Sequence, residues 1–324
     1  MNVGIAGIGF YVPEKVLTNQ DLEKMVETTD EWIRTRTGIS ERRIAEKGAG
    51  VSDLAAKAAV KAIKNAGISA EDIDLIIAAT STPDMPLPST ACILQNKIGA
   101  KNAAAFDLAA ACSGFVYGLV TAEQFVRSGM YKNVLVVGAD LISSYIDWTD
   151  RSTCVLFGDG AGAAIVSEKK SGGFLSSSIG SDGQYADLLT ITCGGSRNPA
   201  TADTVKTKGH YLQMNGGEVF KLAVRGMADS VEKALKKAGV KPEDVACFVP
   251  HQANLRIIDA VADRLALPKE KIFINLQKYG NTSAASCAIA LCEALEQGKF
   301  KKGDKVVLAT FGSGLVWAAM VIEW

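Results

Sequence analysis

The sequence predicts an α/β protein built from two similar halves. The first sign is an echo along the chain. KAIKNAGISAEDIDLIIAATST, starting at Lys61, reappears 172 residues later as KALKKAGVKPEDVACFVPHQAN, starting at Lys233. A second echo follows in the same order: AEQFVRSGMYKNVLVVGAD around Gly129 is matched by CEALEQGKFKKGDKVVLAT around Gly298, 169 residues on. The third sign is the shared pattern of the first pair. Each reads as an amphipathic helix ended by a C-cap glycine (Gly67, Gly239), then a short capped turn and a buried strand. A period this long excludes a solenoid and fits two α/β halves packed about a pseudo-twofold axis. The halves divide into residues 1–170 and 171–324.

The elements between these echoes follow the same logic. The N-terminal GIAGIGFYV has its glycines in the wrong order for a G-x-G-x-x-G dinucleotide loop, and tight packing accounts for them. Ala103–Leu108 (AAAFDL) reads as a short buried strand. GFVYGLVTAEQFVRSG after Cys112 reads as an apolar helix that stops at Gly129. Lys169–Gly217, rich in Gly, Ser and Thr, reads as excursion loops with at most a hairpin. The second half then repeats helix, turn and strand as far as Pro250, and Asn281 opens another buried helix.

Composition narrows the class. The chain has 324 residues, 48% hydrophobic and 22% charged, which suffices for an ample core. Lys+Arg and Asp+Glu balance at 35 each, so no global basic field points to nucleic acid or an anionic membrane. No apolar run reaches the ~18 residues of a membrane span, and the N-terminus lacks a signal-peptide pattern. The seven cysteines are scattered, without Cys-x-x-Cys or Cys/His clusters, which predicts reduced thiols, no structural metal and a cytoplasmic location. With only two histidines, His210 and His251, any acid–base imidazole is one of them. His210 falls in the loop-rich excursion and reads as structural.

Chemistry concentrates at three positions. Cys112, in AAACSGF, lies where a strand turns into a helix, beside unpaired amides and the positive end of the helix dipole. That setting is expected to lower the thiol pKa and favour the nucleophilic thiolate. Taken alone, a cysteine among alanines is more often a small buried apolar residue. The repeat adds weight, because an offset of 169 places Asn281 opposite Cys112, each at the start of a buried helix. His251 falls just past its strand, as Ala79 does in the first half. Ligand sites in open α/β architectures gather at strand carboxyl ends and helix N-termini.

AAACSGF, PHQANLRI (Pro250–Ile257) and YGNTSAAS (Tyr279–Ser286) resemble the three signature segments of the β-ketoacyl-acyl-carrier-protein synthase III family. The resemblance extends through TTDEWIRTRTGISERR, DRSTCVLFGDGAGA and FGSGLVW, and so covers essentially the whole chain. It implies a thiolase fold, five-layered αβαβα, made from two duplicated halves. It implies catalysis by Cys112, His251 and Asn281: Cys112 accepts an acyl group from acyl-CoA, while the other two stabilise the enolate formed as malonyl-acyl-carrier protein loses carbon dioxide. The product is a 3-oxoacyl-acyl-carrier protein, at the first step of fatty-acid biosynthesis, with no cofactor. Further roles are implied for the amides of Cys112 and Ser313 as an oxyanion site. Thr28, Trp32, Arg36, Arg151 and Asn254 would bind CoA. Gln252, Ala253, Asn254, Leu255 and Arg256 would meet the carrier protein, with Arg264, Lys269 and Lys271 extending a basic patch. Leu87 would line the primer pocket. A homodimer is expected. Ser313 departs from the family, which usually has three glycines here, and would be strained if its φ had to be positive.

Other readings fit less well. A papain-like hydrolase shares the Cys-His-Asn set but places its cysteine near the N-terminus in CGSCW-like surroundings. Elongating synthases use a second histidine, and His210 lies in no matching motif. Chalcone-synthase-like, hydroxymethylglutaryl-CoA-synthase-like and quinolone-forming relatives share Cys-His-Asn and remain competitors within the superfamily. A non-enzymatic module would show no thiol reactivity. The sequence leaves open whether acetyl-CoA, propionyl-CoA or a branched acyl-CoA is the primer.

Overall fold

The structure is a computed structural model that describes residues 1–324. From the N-terminus run β1 (Asn2–Tyr11), β2 (Val16–Thr18), α1 (Asn19–Leu22), α2 (Asp30–Thr37), β3 (Glu41–Arg43) and α3 (Val51–Ala66). β4 (Leu75–Ala79), α4 (Thr90–Ile98), β5 (Ala104–Leu108), α5 (Gly114–Arg127), β6 (Asn133–Leu141), α6 (Arg151–Cys154) and β7 (Asp159–Lys169) follow. Next come β8 (Gly173–Ser181), β9 (Leu189–Ile191), α7 (Ala202–Lys206), β10 (Leu212–Met214) and α8 (Gly216–Ala238). The chain closes with β11 (Val245–Pro250), α9 (Leu255–Arg264), α10 (Leu276–Tyr279), α11 (Ala285–Glu296), β12 (Lys305–Gly312) and β13 (Val316–Glu323).

Two mixed sheets organise these elements, one ordered β1-β7-β6-β4-β5 and the other β11-β12-β13-β8. Their strands carry apolar side chains on both faces, so period 2 sorts them into two different cores. Leu75, Ile77, Val134 and Val136 from the first sheet, and Val306, Leu308, Ala318 and Met320 from the second, meet around α5 and α11 in one central core. The alternate residues Ile76, Ala78, Leu135 and Val137 pack under α3 and α4. Val307, Ala309, Ala319 and Val321 pack under α8 and α9. The layers are therefore helix, sheet, helix pair, sheet, helix: the thiolase fold.

Both echoes reappear as structure. α3 and α8 each end at a left-handed glycine, Gly67 and Gly239, and each leads through a 3₁₀ turn into β4 or β11. The Lys169–Gly217 excursion holds more regular structure than its composition predicts. β9 and β10 pair antiparallel as a small two-stranded sheet, but the connection between them carries α7, so they are not a simple hairpin, and β8 is a full strand of the second sheet, paired antiparallel with β13. Its SSS run looks loop-like, and only the pairing partner makes it a strand.

Candidate active site

Cys112 sits on a 3₁₀ turn, Ala111–Ser113, between β5 and α5. Ala111 before it takes a left-handed φ of 42°, a conformation that costs a non-glycine residue on the order of 1 kcal/mol and turns the thiol sharply inward. In the second half the same bend falls at Ser283, φ 52°, just before α11. The backbone counterpart of Cys112 is therefore Ala284. Asn281 lies three residues earlier, so the equivalence expected from the 169-residue offset shifts.

Asn281 is held by its backbone. Its N–H donates to Leu156 O at 2.8 Å, and its carbonyl accepts from Gly158 N at 3.1 Å. The preceding Gly280 has φ 63°, ψ −158°, and a Cβ there would stand 2.7 Å from Leu156 O, so only glycine brings the two turns this close. Buried Arg42 braces the facing turn by donating to Val155 O at 2.8 Å. The Asn281 side chain is oriented as well: its Oδ1 accepts from Ser283 N at 2.8 Å, which leaves the amide NH₂ as the free donor.

His251 follows β11, its N–H donating to Ala309 O on β12 at 2.7 Å. The ring is buried and its Nδ1 has no protein partner. Burial pulls its pKa down to about 4, so the imidazole is neutral near pH 7.

The thiol behaves differently from expectation. Burial, with a smaller push from the Asp140 charge, drives the Cys112 pKa up to about 12, and the Ser283 hydroxyl at 3.4 Å only partly opposes this. Burial of the sulfur between the two halves thus favours the protonated thiol.

Cys112, His251 and Asn281 line one cavity of about 130 Å³, walled by Phe157, Leu189, Met214, Phe220 and Phe311. A larger hollow of about 390 Å³ between β1 and the C-terminus has no cysteine, serine, threonine or histidine in its wall. Gly312 lies so close to the Cys112 amide that a Cβ on it would come within 2.7 Å of that nitrogen. The strain considered for Ser313 does not arise: the positive φ falls on Gly314, which the chain keeps. The Ser313 hydroxyl instead donates to Leu189 O, tying this loop to the cavity wall.

The Trp32 ring lies near two guanidinium groups, Arg151 at 4.8 Å and Arg36 at 5.9 Å. Asn254 lines the cavity and donates from Nδ2 to Arg36 O at 3.1 Å. Thr28 has a buried hydroxyl without a partner. Arg256 is exposed over the Phe220 ring at 5.7 Å.

Several expected assignments change. Gln252 is 1% exposed, and its amide is used up by Pro250 O, Phe273 O, Asn275 N and Leu276 N, so it cannot meet a carrier protein. Ala253 lines the cavity, and Leu255 packs against Gly38. Arg264 is paired with Asp229, and Lys271 bonds Glu243 O, which reduces the basic patch. Leu87 is 84% exposed on the single chain and does not line that chain's own cavity, which leaves its expected place in a primer pocket untested. His210 packs against the Tyr211 ring at a tilt of 41°, outside the site. Residues not anticipated are Ser283, Asp140 and the apolar wall. Ser283 lay in plain view in YGNTSAAS, whereas nothing local marked Asp140.

A buried thiol, a neutral imidazole and a carboxamide donor, drawn from both halves of a thiolase fold, define a condensing acyltransferase. Residues 106–183 match the family 3-Oxoacyl-[acyl-carrier-protein (ACP)] synthase III, and residues 235–324 match its C-terminal family. The chain is 56% identical over 322 residues to the β-ketoacyl-[acyl-carrier-protein] synthase III of Caldanaerobacter subterraneus subsp. tengcongensis, covering 99% of this chain and 97% of that one. It is 55% identical over 321 residues to the enzyme of Clostridioides difficile, covering 99% and 98%. The crystal structure of 3-oxoacyl-[acyl-carrier-protein] synthase III from Aquifex aeolicus VF5 superposes with a TM-score of 0.92 at 49% identity, covering 99% of this chain and 100% of that one. The chain belongs to the β-ketoacyl-[acyl-carrier-protein] synthase III family of acyltransferases.

Proposed function

We propose that the protein condenses an acyl-CoA primer with malonyl-acyl-carrier protein, giving 3-oxoacyl-acyl-carrier protein, CoA and carbon dioxide, through an acyl thioester on Cys112. The observation that carries this reading is the convergence of Cys112, His251 and Asn281 on one apolar cavity. In the first half-reaction the Cys112 sulfur replaces CoA on the acyl carbonyl, and the thiol proton ends on the CoA sulfur. The amides of Cys112 and Ser313 are proposed to hold the transient oxyanion. In the second, loss of carbon dioxide creates the carbanion, so no strong base is required. Neutral His251 and the Asn281 NH₂ stabilise the enolate oxygen, and the carbanion attacks the acyl-Cys112 carbonyl and releases the thiolate.

CoA binding is assigned to Thr28, Trp32, Arg36, Arg151 and Asn254, supported by the stacked ring and paired guanidinium groups. Carrier-protein docking is assigned to exposed Arg256 with its neighbours Ala253, Asn254 and Leu255. Acetyl-CoA and short or branched acyl-CoA are the primers proposed. The two halves, 1–170 with the nucleophile and 171–324 with His251 and Asn281, are proposed as the domains, and the cytoplasm as the location. A homodimer is supported by β5, an edge strand, and by exposed Met85 and Leu87 in the loop before α4, which packs on β5.

The test separates the half-reactions. Cys112→Ala should abolish acyl-enzyme formation, read by mass spectrometry, yet leave some decarboxylation of malonyl-carrier protein. Asn281→Ala and His251→Ala should still acylate while condensation falls on the order of 10²–10³-fold, the usual effect of losing one oxyanion donor. An Asn281→Ala enzyme that decarboxylates but no longer acylates would overturn the division of roles.

A further inference from the structure

Arg42, in the middle of β3, is wholly buried, and none of the acceptors around its guanidinium is a carboxylate. Nη1 donates to Leu17 O at 3.2 Å and to Asn19 Oδ1 at 2.9 Å, Nη2 donates to Val155 O at 2.8 Å, and Nε has no partner. Burial lowers its pKa only to about 10, so it is still a cation near pH 7. Burying a cation among neutral acceptors is costly, and an apolar side chain of similar size would fill the space without that cost. What an apolar chain could not do is join the segments that these acceptors belong to.

Those segments converge on Asn281. Val155 follows α6 and opens the turn from which Asn281 hangs: Leu156 O accepts from Asn281 N, Gly158 N donates to Asn281 O, and Phe157 pairs in parallel with Asn281 between them. The other arm of the bend is reached from the same strand, because Ser40 N, just before β3, donates to Gln277 O on α10 at 3.1 Å. A Cβ on Gly158 would come within 3.0 Å of Arg42 Cβ, and one on Gly280 within 3.4 Å. The Arg42 stem therefore packs against both glycines that let the two turns meet. On its far side Asn19 extends the hold, its Nδ2 donating to Asp30 Oδ1 in the first turn of α2 at 2.8 Å and to Ile39 O at 2.9 Å.

We propose that Arg42 is a positioning residue for Asn281, fixing the 156–158 turn so that the Asn281 NH₂ points at the enolate oxygen formed in the second half-reaction. The lever is short. Arg42 Nη2 grips the carbonyl one residue before the one that accepts from Asn281 N, so slack in the guanidinium contact passes to Asn281 within a single peptide unit. The first half-reaction lies outside its reach, since its partners sit on β2, at the start of α1 and just after α6. None is on the β5–α5 turn or in the 312–315 loop around Cys112. Lysine would keep a cation but offers one nitrogen in place of the planar fork, so it cannot reproduce the bridge between Asn19 and Val155.

The assignment rests on Asn281 being an enolate donor, and the experiment tests that premise separately. Carbon dioxide release from malonyl-carrier protein, and acyl-enzyme formation at saturating acyl-CoA, are measured for the full-length enzyme, Arg42→Lys, Asn281→Ala and the double variant. Folding is followed by thermal melting. Arg42→Lys should slow decarboxylation about tenfold, in keeping with a shift well below the 1 Å that costs about 10²-fold, and should leave acylation within about twofold. In the Asn281→Ala background the same change should cost less than about twofold more, because effects that act through one residue do not add. Equal loss in both half-reactions, additive losses in the double variant, or no loss in Arg42→Lys overturns the proposal. An Asn281→Ala enzyme that decarboxylates at the parental rate overturns the premise, and the proposal with it. If Arg42→Lys fails to fold, Asn19→Ser, which disturbs one Arg42 acceptor, decides in the same cycle. A decarboxylation loss that vanishes without Asn281 supports the proposal; a loss that persists there, or no loss, overturns it.

Discussion

Replacing Gly312 by alanine tests how tightly the two halves must meet at the nucleophile. A Cβ at this position would stand 2.7 Å from Cys112 N, 3.2 Å from Ser113 N and 3.2 Å from Ala111 Cβ. Ordinary contact begins near 3.4 Å, so the Phe311–Leu315 loop must retreat by about 0.7 Å. The closest atom opposing the methyl is backbone, so no flexible side chain can yield. An oxyanion donor works at about 2.7–3.1 Å, and retreat by this amount takes a loop amide out of that range. Misplacement on the order of 1 Å costs about 10²-fold in rate. Gly312→Ala should therefore acylate Cys112 about 10²-fold more slowly, with a smaller effect on decarboxylation. The assay is rapid-quench mass spectrometry of the acyl-enzyme set beside carbon dioxide release. Gly183→Ala serves as control, since a Cβ there meets nothing within 4 Å. A folded Gly312→Ala enzyme that acylates at the parental rate would refute the reasoning.

Two other predictions concern titration and assembly. His251 has a folded pKa of about 4 against about 6.5 when unfolded, so between these values the unfolded chain binds the extra proton. Stability should therefore fall as pH drops through that window, by roughly 3 kcal/mol from this residue. Urea unfolding of His251→Asn should show a flatter curve there, and a curve parallel to the parent's would contradict the assignment. In solution the protein should have the mass of two chains by light scattering, and Leu87→Lys beside the β5 edge should shift the balance toward one. A monomeric parent at working concentration would count against pairing of copies.

Much of this architecture was legible in one dimension. The period of α3 and α8, their terminal glycines and the apolar runs of β4, β6, β11 and β12 are encoded within a few residues of each other, because local sterics and side-chain period decide them. The duplication was legible for the same reason, since it is a repeat of local signals. Cys112, His251 and Asn281 stood out because each lies at the end of such a signal. The bend itself was not legible: a left-handed Ala111 or Ser283 breaks the local preference and is held only by packing around it.

What the sequence by itself determined is the order of elements, the two-fold repeat and the chemistry available at three positions. Tertiary structure decided the rest. β8 became a core strand because β13 pairs with it, although its serines alone read as loop. Gln252 turned inward because four backbone groups around it needed partners. Leu189 and Met214, from the Gly/Ser/Thr-rich excursion, and Phe220 just after it wall the cavity. Cys112 and His251 both lost their charged forms to burial between the halves. Solvation of a group depends on atoms far away in the chain, so a pKa is set only when the distant half closes over it.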